Sequence, residues 1–414
     1  MINEVLLMSI IPRERYFQKI MQYRNAPLIK VITGMRRAGK SYILRHILQK
    51  AVSDHDVPPE NIFYVDKERI EFDPIMNYQD LYQLFQTFLK TIQTDKKIII
   101  AIDEIQSIDQ REKFINSSLS QYREKAEIFI TGSNSTMLSS ELTTYLTGRY
   151  LEFEIYPLSF EEYGIFTQQS KSRQLFNEYL KYGGLPGIFS VQKTDEAIFS
   201  YLQGIYNTIL LKDLIKYFNI RNVDFFEDLY KFLFANVGNI ISAKSISDYL
   251  KSQRIKISPE VILTYLSYGI KVYMIEMVKS VNPDTKKYFE IYNKYYVGDI
   301  GLKNAMVGYN FERDIWKLLE NYVYLELKRQ GYTIKIGRLS NKKEIDFIAE
   351  KHGIVKYFQV TYLLSSEDTS EREYSPLEEV RDNREKYVVS FDETSFDVRK
   401  GIKHVNVMDL ENIL

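Results

Sequence analysis

Gly34-Met35-Arg36-Arg37-Ala38-Gly39-Lys40-Ser41 is the stretch on which the fold turns. It follows the apolar run Leu28, Ile29, Val31, Ile32 and leads into Tyr42-Ile43-Leu44-Arg45-His46-Ile47-Leu48, whose apolar spacing is helical. The order is therefore strand, glycine-bounded loop, helix, which is the context of a P-loop. Its two glycines let backbone N–H groups turn inward around phosphate oxygens, and the helix that follows adds its positive end to the same anion. Lys40 is expected to reach the β- and γ-phosphates of a nucleotide, and the Ser41 hydroxyl to take a place on Mg²⁺. Tyr42 closes the stretch assigned to phosphate binding. The Arg36-Arg37 pair reads either as added positive charge near the phosphates or as contacts to an adjoining domain.

Reading outward, residues 13–24 carry Tyr16, Phe17, Ile20, Met21 and Tyr23 at spacings suited to a helix against the nucleotide domain. Downstream, Asn61 to Asp66 reads as a buried strand, and Tyr78 to Ile92 as an amphipathic helix. Lys97-Ile98-Ile99-Ile100-Ala101-Ile102-Asp103-Glu104 then has the unbroken apolar run of a central parallel strand covered on both faces. Its two carboxylates fall at the strand's C-terminal edge, where open α/β sheets bind ligands. Asp103 is expected to hold Mg²⁺ through its water shell, and Glu104 to orient and polarise the attacking water. A strand ending in a solvated acidic turn would look the same in isolation; the upstream P-loop is what favours chemistry.

A helix around Phe114 to Tyr122 leads to the strand Glu127 to Gly132, which ends at Ser133-Asn134. These two read equally as contacts to the γ-phosphate or attacking water and as the N-cap of a helix from Thr136 onwards. Thr147-Gly148-Arg149-Tyr150 enters the alternating strand Leu151, Phe153, Ile155. On position alone Arg149 is an exposed arginine. It is also a candidate for stabilising charge on a transferring phosphoryl group, within one subunit or across an interface.

Composition narrows the field. At 414 residues the chain is long enough for two or three domains. Lysine plus arginine equals aspartate plus glutamate at 55 each, so the global balance predicts neither a nucleic-acid nor a membrane partner, although a local patch is compatible with it. The absence of cysteine removes disulfides, thiolate metal sites and cysteine nucleophiles, and the four scattered histidines form no ligand pair. Val5 to Ile11 lacks the basic start and cleavage site of a signal peptide, and no apolar stretch reaches bilayer length, so a cytoplasmic protein without a membrane partner is expected.

Residues 171–215 read as helical with a breaker at Gly183-Gly184-Leu185-Pro186. Asp224 to Tyr296 has the pattern of a winged helix: three helices, capped near Ser242 or Ser245 and at Ser258-Pro259, then strands Val272 to Val278 and Lys287 to Tyr292 around an Asn282-Pro283-Asp284 turn. Lysines including Lys286 and Lys287 surround it, yet Pro259 to Tyr265 offers almost no base-reading side chain, so a protein-contacting role stands level with a DNA-reading one. The final segment resembles a restriction-endonuclease-like fold. Asp346 fits the first metal-binding acid, but Gln359 replaces the second and Thr361 stands where the lysine should be. With one carboxylate and the lysine gone, no charged metal site is expected, and a fold kept for binding is read instead.

The succession Gly-Met-Arg-Arg-Ala-Gly-Lys-Ser, Ile-Asp-Glu-Ile-Gln, Thr-Gly-Ser-Asn and Leu-Thr-Gly-Arg-Tyr before Pro-Leu-Ser-Phe-Glu-Glu-Tyr closely resembles bacterial and archaeal AAA-type ATPases with a conserved C-terminal domain of unknown function. Tyr182 to Gly187 and Lys294 to Leu302 extend the resemblance over nearly the whole chain. It implies ATP as ligand, a preference supported by the lack of a guanine-reading Asn-Lys-X-Asp motif. It also implies that Arg149 is an arginine finger, and hence a homo-oligomer. A lid arginine that senses phosphate is not evident, since neither Arg173 nor Arg221 sits in a convincing motif. The expected architecture is α/β: a P-loop AAA-type domain over 1–160, a helical lid over 161–222, a winged helix over 223–300 and a degenerate endonuclease-like domain over 301–414. The expected activity is Mg²⁺-dependent ATP hydrolysis that moves the last two domains on a protein or DNA partner. A nucleotide-gated binding module with negligible turnover is the alternative, and an ATP-coupled nuclease a more distant one.

Overall fold

A computed structural model describes residues 2–92, 96–135, 148–283, 288–340, 343–364, 366–393 and 398–414. The helix expected from Thr136, Thr147 of the Gly-Arg motif, and Asp284, Lys286 and Lys287 of the expected wing lie outside the described residues. The chain divides into two compact units, Met1–Ile155 with Lys271–Tyr273, and Tyr156–Ile270 with Met274–Leu414.

In the first unit, β1 (Ile29–Thr33), β2 (Ile62–Asp66), β3 (Ile98–Asp103), β4 (Ala126–Gly132) and β5 (Tyr150–Glu154) form one parallel sheet in the order β2-β3-β4-β1-β5. Every residue of β1, β2 and β3 is buried, the charged Lys30 within β1 included. The unit's helices include α1 (Glu14–Met21), α2 (Lys40–Ser53), α3 (Tyr78–Leu89) and α4 (Arg111–Tyr122). A capping box starts α3, with the Asn77 side chain accepting from Asp80 N while the Asp80 carboxylate accepts from Asn77 N, both at 3.2 Å. Phe85 of α3 meets Phe63 of β2 and Phe114 of α4 edge-on, at ring separations of 5.1 and 5.5 Å. Burying such a ring contributes about 1.5–3 kcal/mol, which is how the helices are held to the sheet.

Strand register then fixes what lies at each edge. Asp66 pairs with Asp103 and Thr33 with Gly132, so the ends of β1 to β4 share the C-terminal edge. Ile29 pairs with Tyr150, which leaves Arg149, just before β5, at the opposite edge.

The second unit carries an eight-stranded mixed sheet in the order β13-β12-β11-β10-β9-β7-β8-β6. Its strands are β6 (Ile240–Ile241), β7 (Ile275–Val281), β8 (Tyr288–Val297), β9 (Thr333–Arg338), β10 (Glu344–Lys351), β11 (Ile354–Val360), β12 (Glu385–Ser390) and β13 (Ile402–Asn406). Around it lie α5 (Phe160–Thr167), α6 (Arg173–Tyr182), α7 (Asp195–Thr208), α8 (Val223–Ala235), α9 (Ala243–Ser252), α10 (Pro259–Lys271), α11 (Ile300–Val307), α12 (Phe311–Arg329) and α13 (Glu367–Glu379). Ser242 is the cap of α9, accepting from Ser245 N at 3.0 Å. The strand expected from Val272 starts instead at Ile275, because Tyr273 takes a φ of 60° and turns the chain out of extended conformation.

Two motifs far apart in sequence prove to be one structural element. The buried Asp299 carboxylate accepts from Gly184 N at 2.8 Å and caps α11 by accepting from Leu302 N at 2.9 Å. Burial pushes that carboxyl up to about 6, against the pull of its backbone donors. A Cβ on Gly301 would stand 1.9 Å from the Tyr182 carbonyl oxygen, so the Gly-Gly-Leu-Pro turn and the Asp-Ile-Gly-Leu start of α11 specify each other. On the same face, the buried Arg329 donates to the carbonyls of Pro157 and Leu158 at 3.3 and 3.1 Å and to Glu326 at 2.6 Å. The Pro-Leu-Ser-Phe segment is thereby tied to α12.

Candidate nucleotide site

The loop between β1 and α2 has the backbone its residues demand. Gly34 sits at φ 134° and Gly39 at φ 100°, and a Cβ on Gly34 would lie 2.2 Å from the Ile155 carbonyl oxygen. Only glycine fits there. Met35 and Ala38 are buried beneath the loop, Arg37 points outward at φ 66°, and Arg36 donates to Glu68 at 3.2 Å. Of the two readings of the arginine pair, the described contact of Arg36 is thus within its own unit. Lys40 is buried, donates to the Met35 carbonyl at 3.0 Å and stands 3.8 Å from Glu104 Oε1. Ser41 begins α2 beside it, whereas Tyr42 is 52% exposed, its ring beneath the Arg45 guanidinium at 5.5 Å.

Asp103 and Glu104 come to the same edge. Asp103 is buried and hydrogen-bonded to the hydroxyls of Thr131 and Ser41. Burial first, then the Glu104 and Asp66 carboxylates, push its pKa up to about 7. Glu104 takes the left-handed conformation, φ 55°, a strain of about 1–2 kcal/mol that lifts its side chain off the strand. Its amide donates to Thr131 Oγ1 at 3.0 Å, and Ser133 Oγ donates to its Oε2 at 3.0 Å. Ser133 and Asn134 are both buried at this edge. Of their two readings, Ser133 is thus in contact with Glu104, while the helix either would cap lies outside the described residues. A carboxylate and a hydroxyl bonded to each other form a hard-oxygen donor pair of the kind Mg²⁺ takes with phosphate, so Asp103 and Ser41 fit that ion.

Arg149 is not brought to this edge. It is exposed, donates to Asn116 at 3.2 Å, and precedes β5 at the other end of the sheet, with β1 in between. Reaching phosphates beyond Thr33 from there would span the strand, about 15 Å at ~3.3 Å per residue. The same-subunit alternative for Arg149 is therefore not formed. Of the two lid candidates, Arg173 lies on the Phe391 ring at 4.6 Å and pairs with Glu393 at 3.5 Å, both within the second unit.

Several contributors escaped the motif reading. Arg13 is buried, stacks on Tyr16 at 4.6 Å and donates to the Ala38 carbonyl at 2.9 Å, bracing the loop from α1. Thr131 bridges the acidic pair, and Asp66 ends β2 beside Asp103 while accepting from Arg45 at 3.1 Å and from Tyr64 at 3.2 Å. Thr131 follows from parallel register, which spacing along one strand does not reveal. Arg13 carried no signal beyond preceding α1.

In the second unit, Asp346 lies in a buried charged cluster. A cavity of about 650 Å³ is lined by Lys294, Glu320, Glu344, Asp346, Gln359 and Glu373. The Lys294 ammonium donates to Glu320 at 2.9 Å, bonds Glu344, and stands 3.6 Å from Asp346. Burial pulls its pKa down, but the three carboxylates outweigh that and hold it above the ordinary lysine range. A lysine is thus present where Thr361 supplies none, although it comes from β8. Among the described residues no group of three or more acidic or histidine side chains is placed to hold a metal.

The phosphate-cradling loop, the acidic edge of β3 and the strand order β2-β3-β4-β1-β5 together define an AAA-type P-loop domain. The family described as AAA domain matches residues 26–164, and a domain of unknown function matches residues 173–313. An uncharacterized protein of Haemophilus influenzae is 34% identical over 409 residues, 97% of this chain and 98% of that one. An uncharacterized protein of Methanocaldococcus jannaschii is 31% identical over 412 residues, 93% of this chain and 86% of that one. The chain belongs to this family of AAA-type P-loop ATPases with a C-terminal domain of unknown function. Among solved structures, Cdc6p of Pyrobaculum aerophilum covers 74% of this chain and 96% of its own at 11% identity and a TM-score of 0.33, too distant a likeness to bear on function. No described helix is long and apolar enough to cross a membrane.

Proposed function

We propose that this protein binds ATP with Mg²⁺ through Gly34 to Ser41 and hydrolyses it at the C-terminal edge of β1, β3 and β4. The observation that carries the reading is the convergence of Lys40, Asp103, Glu104 and Ser133 on one edge, with Lys40 Nζ 3.8 Å from Glu104 and Ser133 Oγ 3.0 Å from it. The loop amides and Lys40 bind phosphate oxygens. Asp103 and Ser41 hold the cation, and Glu104 takes a proton from the attacking water. Bound Mg²⁺ supplies neutralisation of charge on the β- and γ-phosphate oxygens. Arg149 serves a neighbouring subunit, completing its site across an interface. The cycle acts on a protein or DNA partner through a lid over 161–222, a winged-helix segment over 223–300 and an endonuclease-like segment over 301–414 that binds rather than cuts.

The test is phosphate release by the full chain with and without double-stranded DNA, at two salt concentrations. Wild type is expected to release phosphate, Glu104→Gln to bind ATP without turnover, and Lys40→Ala to lose both. Wild-type release at background under all conditions, with ATP binding intact, would favour a nucleotide-gated binding module instead.

A further inference from the structure

The hydrolytic reading gives no role to Gln106. Gln106 lies in the short turn Ile105–Ser107 directly after Glu104. Its Nε2 donates to Glu104 Oε2 and, at 3.2 Å, to Ser133 Oγ. Ser133 Oγ donates to the same Oε2 at 3.0 Å, so one oxygen of Glu104 is held by two donors. The other, Oε1, faces Lys40 at 3.8 Å. An ionised carboxylate only accepts, so the Gln106 amide must present its nitrogen to it and turn its oxygen away. That oxygen, Oε1 of Gln106, is buried and has no hydrogen-bond partner among the described residues. Buried carbonyl oxygens are rarely left this way, and this one is free to accept from a donor that enters the site. The donor such a site admits beside its general base is water.

We propose that Gln106 is a positioning residue for hydrolysis, its amide N–H fixing the Glu104 carboxylate and its amide oxygen accepting one O–H of the attacking water. The proposal rests on the hydrolytic reading above. With Glu104 holding the second O–H, both hydrogens of the water are engaged and an oxygen lone pair is aimed at the γ-phosphorus. The water oxygen bonds to that phosphorus as the bond to the β–γ bridging oxygen breaks and leaves its electron pair on ADP. Glu104 takes one water proton and passes it to solvent, and the products are ADP and phosphate.

The test uses the full chain with Gln106→Ala and Gln106→Glu. In Gln106→Ala, affinity for fluorescent ATP with Mg²⁺ is expected to stay within about twofold and the melting temperature to hold, while the single-turnover rate falls about 100-fold, the scale of a misplaced reacting group. Affinity for ADP with aluminium fluoride, which mimics the reacting γ-phosphoryl group with its water in place, should fall by a similar factor while affinity for ADP does not. Gln106→Glu keeps an oxygen acceptor but loses the amide N–H that fixes Glu104, so its single-turnover rate should also fall, by at least about tenfold, with ATP affinity kept. A single-turnover rate for Gln106→Ala within twofold of an active wild type overturns the proposal, as does a loss that ATP and ADP binding share equally. A wild type that releases no phosphate and binds ADP no more tightly with aluminium fluoride overturns the hydrolytic reading as well.

Discussion

Lys294→Met is expected to destabilise the second unit by about 3–5 kcal/mol at pH 8, the usual cost of stripping one partner from a buried ionic group. Lys294 is 4% exposed, its ammonium 2.9 Å from Glu320 and 3.6 Å from Asp346, with Glu344 also bonded to it. At an effective dielectric near 20, each of these contacts is worth about 5 kcal/mol before desolvation, and desolvation of the charged groups offsets most of the sum. What the substitution exposes is repulsion among carboxylates that methionine cannot answer. Asp346 is already held well above the carboxylate range by burial and by Glu320 and Glu344, with Lys294 pulling the other way. Without Lys294 it rises further. A carboxyl whose folded pKa lies above its unfolded value makes the folded state bind more protons, so stability falls as pH rises. The gap between variant and wild type should therefore widen as pH rises through the titration of Asp346. Thermal melts at four pH values check this, with a shift of about 6–20 °C expected at pH 8. Adding Glu320→Gln should recover part of the loss. A gap that is constant with pH, or below about 1 kcal/mol at pH 8, would mean that Lys294 matters only as packing.

Three further outcomes follow from the nucleotide site. Asp103 is pushed up to about 7, and the cation requires its ionised form, so Mg²⁺-dependent affinity for a fluorescent nucleotide should strengthen about tenfold from pH 6 to pH 8. Asp103→Asn should abolish that dependence, and a flat wild-type profile would refute the assignment. Gly34→Ala should cost about 2–4 kcal/mol by urea denaturation, since its Cβ would lie 2.2 Å from the Ile155 oxygen at a φ of 134°; an unchanged midpoint would show that the loop yields. Arg149→Ala should bind ATP normally and lose turnover by about 10³-fold or more. Mixing it with the separately inactive Glu104→Gln should restore activity, because one interface then joins two intact halves; no recovery on mixing would refute the role across an interface.

The P-loop and the acidic end of β3 are legible in the sequence because each is a local pattern: a strand, a loop and a helix in the one case, five apolar residues and two acids in the other. Thr131 and Gln106 are not, since their value depends on which strand lies beside β3 and on how Glu104 leaves it. The position of Arg149 was open to deduction. In a parallel sheet, a residue before one strand and a loop after its neighbour must lie at opposite edges. Lys294 was beyond reach for another reason. Strands β9 and β7 separate β8 from β10 in the sheet, yet Lys294 bonds Glu344, so the sheet must bend to bring them together. No spacing along one strand encodes that bend.

The eight-stranded sheet has a bearing on how this chain can be inherited. Strands from residues 240–297 and 333–406 form one ladder, joined where Ser280 pairs with Ile336 and Val281 with Gly337. A polypeptide shortened to end at Val307 would bare one edge of β7 and take Glu320, Glu344 and Asp346 away from a buried lysine. Bare edges recruit other chains, and an orphaned ammonium inside a protein resists folding. Exchanging the part after Val307 for foreign sequence should therefore cost folding, so the stretch from β6 to β13 is expected to be inherited as a single cassette.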